Sequence, residues 1–378
     1  VHINREALMD RRNWLRQSAL ALTGLSLGGP TLLAQQSTLL SFNRVPSIRL
    51  NANENPYGPS AAATQAMKEA LATSNRYPGE LERTLRHRIA EAECVTPDHV
   101  LLGPGSSELL ELAGTWFGNP GVEILTADLT FSLLQTYARR AGAKVVEVPL
   151  DKDFRYDLPG LSDQIKETTA LVYVVNPNNP TSTALPGDSL LQFCRKTAPH
   201  TPVMVDEAYL EFVEETNYPS TVRCLQEGLD VLVVKTFSKI YGLAGLRVGY
   251  LLAQPERVTA LQALQFGWYN QSNVALAAAL ATYQDQEFIG FSKQNNEEAR
   301  ALTRKTLEAV GITAAVSETN FMFFQVPKER FAQDITPLMA EHNLLIRSAP
   351  NPLGYWYRVS MGKPAEMEAF ARAFTTIL

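Results

Sequence analysis

Residues 233–250 read VVKTFSKIYGLAGLRVGY. The apolar start is a short strand, and the residues after it are unusually rich in anion-binding and reactive groups. Thr236 and Ser238 offer hydroxyls, Gly242 and Gly245 let the backbone bend, and Arg247 carries a guanidinium fork suited to a phosphate. Lys239 stands among them, and a lysine beside other cations is the residue type that forms Schiff bases. A surface lysine after a strand is the plainer alternative.

Upstream, the same arrangement recurs. Residues 203–209 (VMVDEAY) end an apolar run on Asp206, an acid that is costly to bury unless hydrogen-bonded or paired with a cation. Residues 171–181 (LVYVVNPNNPT) run from a strand into a rigid Asn–Pro turn that includes Asn179. Residues 100–108 (VLLGPGSSE) pass through two glycines into Ser106 and Ser107 at the start of a helix, where free N–H groups and hydroxyls can cradle an anion. Taken singly, these are an N-cap serine, a capping aspartate and a turn. Together they place chemistry at the carboxyl ends of strands, where open α/β sheets bind ligands.

Those strands belong to an alternating pattern. Short aliphatic runs at 100–102, 124–126, 144–148, 171–175, 203–205, 231–234 and 248–252 are separated by helical segments such as 81–92, 106–117 and 131–141. Continuous apolar runs of that length are what strands covered on both faces look like. The alternation implies a mostly parallel sheet with crossover helices, an α/β fold. From residue 253 the texture changes to long helical patterns (256–282, 291–310), then short strands (321–325, 344–347, 355–361) and a terminal helix (364–378). We therefore expect a targeting segment at 1–36, an arm with part of a small domain at 37–74, a large domain at 75–252 and a small α+β domain at 253–378.

At 378 residues the chain is more than twice a nominal domain of about 150. Its formal net charge of −5 argues against nucleic acid as a partner. Three scattered cysteines (Cys94, Cys194, Cys224) and five histidines without ligand spacing give no disulfide framework and no metal site. Residues 10–36 (DRRNWLRQSALALTGLSLGGPTLLAQQ) carry Arg11-Arg12 ahead of a weakly apolar, glycine-interrupted run. That run is shorter than the roughly 20 residues needed to span a bilayer. It resembles a twin-arginine export signal, so the expected location is the periplasm or beyond, with the cytoplasm as the alternative.

With these motifs in order, the chain resembles a class I/II aminotransferase of pyridoxal-phosphate fold type I over about residues 47–362. Residues 50–59 (LNANENPYGP) and 76–78 (RYP) are similar to the histidinol-phosphate aminotransferase branch. The resemblance implies a large domain with a seven-stranded, mostly parallel sheet and a smaller C-terminal domain. It implies pyridoxal 5'-phosphate held by Lys239 as an internal aldimine, with Asp206 on the ring nitrogen, Asn179 and Tyr209 on the ring oxygen and Phe131 stacked on the ring. Ser106, Ser107, Thr236, Ser238 and Arg247 would hold the phosphate, helped by Tyr77 of a second subunit in a homodimer with shared active sites. Tyr57, Arg347 (in LLIR, 344–347) and Arg358 (in YRVSMG, 357–362) would bind the substrate.

The implied reaction moves an amino group from histidinol phosphate, or a similar donor, to a 2-oxo acid such as 2-oxoglutarate. An aromatic amino acid donor, or decarboxylation of an amino-acid phosphate on the same scaffold, would use the same residues. An export signal also fits poorly with histidine biosynthesis, a cytosolic task. One departure stands out: Ser182 comes after Asn179-Pro-Thr where the family commonly has glycine, which matters only if that position needs positive φ.

Overall fold

The computed structural model describes residues 47–378 apart from Thr216, Trp268, Gln284, Pro352 and Leu353. The export signal expected over 10–36 lies outside the described residues. A short strand β1 (Ile48–Arg49) leads into a helix at Ala61–Ala70, which starts where the Ser60 hydroxyl accepts from the Ala63 N–H.

Next comes a seven-stranded sheet: β2 (Val100–Gly103), β3 (Glu123–Ala127), β4 (Lys144–Val148), β5 (Thr169–Val175), β6 (Val203–Asp206), β7 (Val231–Thr236) and β8 (Gly249–Leu252). Its spatial order is β2-β8-β7-β6-β5-β3-β4. The pairs β3–β4, β3–β5, β5–β6 and β6–β7 are parallel, whereas β8 runs antiparallel to both β2 and β7. Leu171–Val175 and Val231–Val234 are at most 1% exposed, as expected of runs without a polar alternate. The six strands β2 to β7 therefore deliver their carboxyl ends to one end of the sheet, with β8 reversed.

The C-terminal region adds an antiparallel sheet of β9 (Phe321–Pro327), β11 (Arg347–Asn351) and β12 (Gly354–Ser360), in the order β11-β12-β9. The single strand expected at 344–347 is divided between two sheets. Strand β10 (Leu344–Leu345) pairs parallel with β1, and after Ile346 the chain enters β11. The helix expected over 256–282 is also broken, into Pro255–Gln262 and Asn273–Tyr283. Between them Gly267 takes φ 150, and Gln265, Asn270 and Gln271 spend their amides on Glu108 and on the Leu102 and Gly103 carbonyls. Those tertiary bonds replace the helix's own.

Two apolar cores form. The larger surrounds the seven-stranded sheet and takes in Val258, Leu261, Ala275 and Leu276; the smaller joins Leu50 to residues from Ala299 to Phe374. Packing thus changes core along the long helix Gln286–Ala309, later than the change in sequence texture at residue 253.

Candidate active site

At the strand ends lies a cavity of about 560 Å³. Ser106, Ser107, Phe131, Asn179, Asp206, Tyr209, Thr236, Ser238, Lys239, Arg247, Arg347 and Arg358 all line it. Residues chosen from five separate motifs and a second sheet thus converge on one space.

One end of the cavity is an anion cradle. The helix Ser106–Phe117 starts after Gly105, which has φ 79 and supplies no side-chain cap, so its first N–H groups remain open to a ligand. Arg247 donates from Nη1 to the Ser238 hydroxyl (3.2 Å) and lies 3.4 Å from the Ser107 hydroxyl through Nη2. A Cβ added at Gly105 would fall 2.2 Å from Arg247 Nη2, so only glycine lets the arginine lie across the helix start. Thr236 Oγ1 accepts from the Ser238 N–H at 3.1 Å, bending the chain after β7 so that both hydroxyls stay on the cleft side.

Asp206, at the end of β6, is 3% exposed and makes no ion pair among the described residues. Its carboxyl is pushed up to about 6, chiefly by burial; hydrogen bonds from the Ala208 N–H (3.1 Å) and the Tyr173 hydroxyl (3.3 Å) hold it down only in part. Lys239 Nζ donates to the Asn53 carbonyl at 3.1 Å and lies 5.5 Å from the centre of the Tyr209 ring. Asn53, which the motifs did not single out, also donates from Nδ2 to the Tyr209 hydroxyl at 2.9 Å. It sits inside the LNANENPYGP stretch, so its position was visible in the sequence although its contacts were not.

Across the cleft, the ladder of β11 and β12 sets Arg347 directly opposite Arg358. Like charges facing each other on one side of a ladder are destabilising, and an anion between them removes the penalty. Arg358 donates to Asn179 Oδ1 (2.8 Å) and the Asn51 carbonyl (3.1 Å), while its buried Nε has no partner. Burial pulls its guanidinium below the ordinary range, and Arg347 adds to that.

Two residues of the expected site lie away from the cavity of this chain: Tyr57, expected to bind the substrate, and Tyr77, expected at the phosphate of a second subunit. Tyr57 turns to the long helix, where its hydroxyl donates to Asn295 Oδ1 at 3.0 Å and its ring meets Phe291 edge-on. Tyr77 is 78% exposed, its ring 5.5 Å from that of Tyr269. No cluster of three or more His, Cys, Asp or Glu side chains suited to a metal occurs among the described residues.

The profile of the family "Aminotransferase class I and II" matches residues 45–374. The chain belongs to the class I and II aminotransferases. A histidinol-phosphate aminotransferase from Moorella thermoacetica is 34% identical over 88% of this chain and 85% of its own length. Another, from Akkermansia muciniphila, is 34% identical over 95% of this chain and 97% of its own. The crystal structure of histidinol-phosphate aminotransferase from Sinorhizobium meliloti in complex with pyridoxal 5'-phosphate matches with a TM-score of 0.82 at 26% identity, covering 93% and 95% of the two chains.

This aminotransferase has the fold type I architecture and takes pyridoxal phosphate as its cofactor. The residues present fit that group. The uncapped helix start with Arg247 suits its phosphate, and the buried acid Asp206, without an ion pair among the described residues, suits a protonated ring nitrogen.

Proposed function

We propose that this aminotransferase uses histidinol phosphate as its amino donor and 2-oxoglutarate as its acceptor. The observation that carries the reading is the facing pair Arg347 and Arg358, which offers a dianionic phosphate or a carboxylate two guanidiniums on one side of a ladder. The name shared by its relatives supports the donor.

The chain's own residues divide the work. The helix start at Ser106, with Ser107, Thr236, Ser238 and Arg247, binds the cofactor phosphate. When bound, the cofactor supplies an electron sink for charge released at the substrate carbon. Asp206 holds the proton on the ring nitrogen, and Phe131, 37% exposed at the cleft wall, covers the ring. Asn179 gives its Oδ1 to Arg358, which leaves its amide N–H groups for the ring oxygen beside Tyr209. Lys239 Nζ anchors the cofactor and, once freed, moves the proton at the substrate carbon. Arg347 and Arg358 grip the acid group of the donor and then of the acceptor, so one cleft serves both half-reactions.

The active unit in this proposal is a homodimer. Tyr77 and Phe266 are 78% and 82% exposed, and their rings lie 5.5 Å and 6.1 Å from that of Tyr269, an exposed aromatic cluster that suits an interface. A second copy would bring its Tyr77 to the phosphate. Export is proposed independently of the donor: Arg11-Arg12 should direct the folded protein out of the cytoplasm, and Lys replacements at both should retain it there on cell fractionation.

The test of the donor is an absorbance titration of the cofactor-loaded protein. Histidinol phosphate should bleach the visible band and 2-oxoglutarate should restore it. Bleaching by aromatic amino acids alone would refute the donor, and release of CO2 without a 2-oxo product would refute transamination.

A further inference from the structure

Asn53 lines the cleft beside Tyr209 and Lys239. It is 6% exposed, and its amide oxygen, amide nitrogen and carbonyl are all hydrogen-bonded. Its Oδ1 accepts from the Ser360 hydroxyl at 2.8 Å, its Nδ2 donates to the Tyr209 hydroxyl at 2.9 Å, and its carbonyl accepts from Lys239 Nζ at 3.1 Å. Three distant parts of the chain meet at that one residue: β12 through Ser360, the segment after β6 through Tyr209, and the segment after β7 through Lys239.

The direction of these bonds decides what Tyr209 can do. A carboxamide has one acceptor oxygen and one donor nitrogen. Here Ser360 donates to the oxygen and the nitrogen donates to Tyr209, whose phenolic oxygen receives. The Tyr209 proton is then not consumed by the wall and is available to the cleft.

We infer that Asn53 is a positioning residue that fixes Tyr209 as a hydrogen-bond donor toward the cofactor's ring oxygen, while its carbonyl steadies the amine of Lys239. The inference rests on the assignment of this cleft as the pyridoxal-phosphate site. A donor on the ring oxygen draws charge from it and loosens its hold on the proton shared with the lysine-bound nitrogen. Tyr209 therefore lowers the pH at which the holoenzyme loses that proton, and Asn53 keeps Tyr209 pointing the right way.

The experiment is a pH titration of visible absorbance in the cofactor-loaded enzyme, without substrate. Asn53→Ala should raise the midpoint by about one pH unit, the size expected for one weakened neutral hydrogen bond. Tyr209→Phe should raise it further, and Asn53→Ala added to Tyr209→Phe should shift it no more, because Asn53 acts through that hydroxyl. If the amide were turned the other way, Tyr209 would be donating to Asn53; Asn53→Ala would then release it to the cofactor and lower the midpoint. A lowered or unchanged midpoint, or additive shifts in the double variant, overturns the inference. Asn53→Ser, too short to reach Tyr209, gives the same sign test should Asn53→Ala fail to fold. A wild-type protein without any visible band would remove the cofactor assignment itself, whereas a normal band with an unmoved midpoint removes only the role of Asn53.

Discussion

Replacing Asp206 by asparagine separates what the acid costs the fold from what it gives the reaction. Its carboxyl rises from the ordinary 3.8 to about 6, with burial the largest cause. Because the folded value is the higher one, the native protein keeps a proton that the unfolded chain has already lost. The protonated acid contributes its stability fully below the unfolded value, and that contribution is lost as pH climbs through the folded one. At 1.36 kcal/mol per unit, a rise of about two units corresponds to about 3 kcal/mol.

Asparagine is nearly isosteric and its Oδ1 can accept from the Ala208 N–H or the Tyr173 hydroxyl, so it removes the charge and little else. Cofactor-free Asp206→Asn should therefore be more stable than the wild type by about 2–3 kcal/mol at about pH 8, and close to it at about pH 4. Urea unfolding of both proteins at the two pH values measures this. With cofactor bound the order of merit reverses: turnover should fall by orders of magnitude, because the ring nitrogen no longer keeps its proton. A cofactor-free variant that is less stable than the wild type at the higher pH would refute this reasoning, since it would mean that the carboxylate is well paired without the ring.

Three further substitutions test the surrounding scaffold. Gly105→Ala places a Cβ 2.2 Å from Arg247 Nη2 at φ 79; cofactor affinity should drop about ten- to a hundredfold, as for one lost charge-assisted bond, and an unchanged affinity by fluorescence titration would clear Arg247 of the role. Ser182, wholly buried, holds φ 65, so Ser182→Gly should stabilise the protein by about 1 kcal/mol with turnover unaffected, and a lowered melting temperature would show that its hydroxyl matters more than its backbone. Lys235 is buried beside Glu93 (2.7 Å) and Glu207 (3.6 Å), so Lys235→Met should cost about 3–5 kcal/mol by leaving both carboxylates without their cation; a loss below about 1 kcal/mol in urea would contradict this.

The large sheet was legible because burial on both faces leaves a simple trace. Val231–Val234 and Leu171–Val175 are apolar without interruption, and the chemistry begins where the apolar run stops. The departure at Ser182 was legible too, since the glycine it replaces points to the positive φ that the structure has. Features that depend on partners distant in the chain were not. The break between Gln262 and Asn273 comes from amides that reach Glu108 and Gly103, and no periodicity announces such bonds. Arg347 and Arg358 could each be picked out, but their facing register arises only when β11 folds back on β12. Asn53 looked like one polar residue among several, because its meaning lies in Tyr209, Ser360 and Lys239, all far along the chain.

The most direct measurement is chemical trapping of the cofactor. The purified protein loaded with pyridoxal phosphate is reduced with borohydride, digested and mapped by mass spectrometry. A single pyridoxyl adduct is expected on the peptide that contains Lys239, absent from Lys239→Ala. An adduct on another lysine, or none at all with the visible band unchanged in Lys239→Ala, would contradict the assignment of Lys239 as the cofactor's anchor.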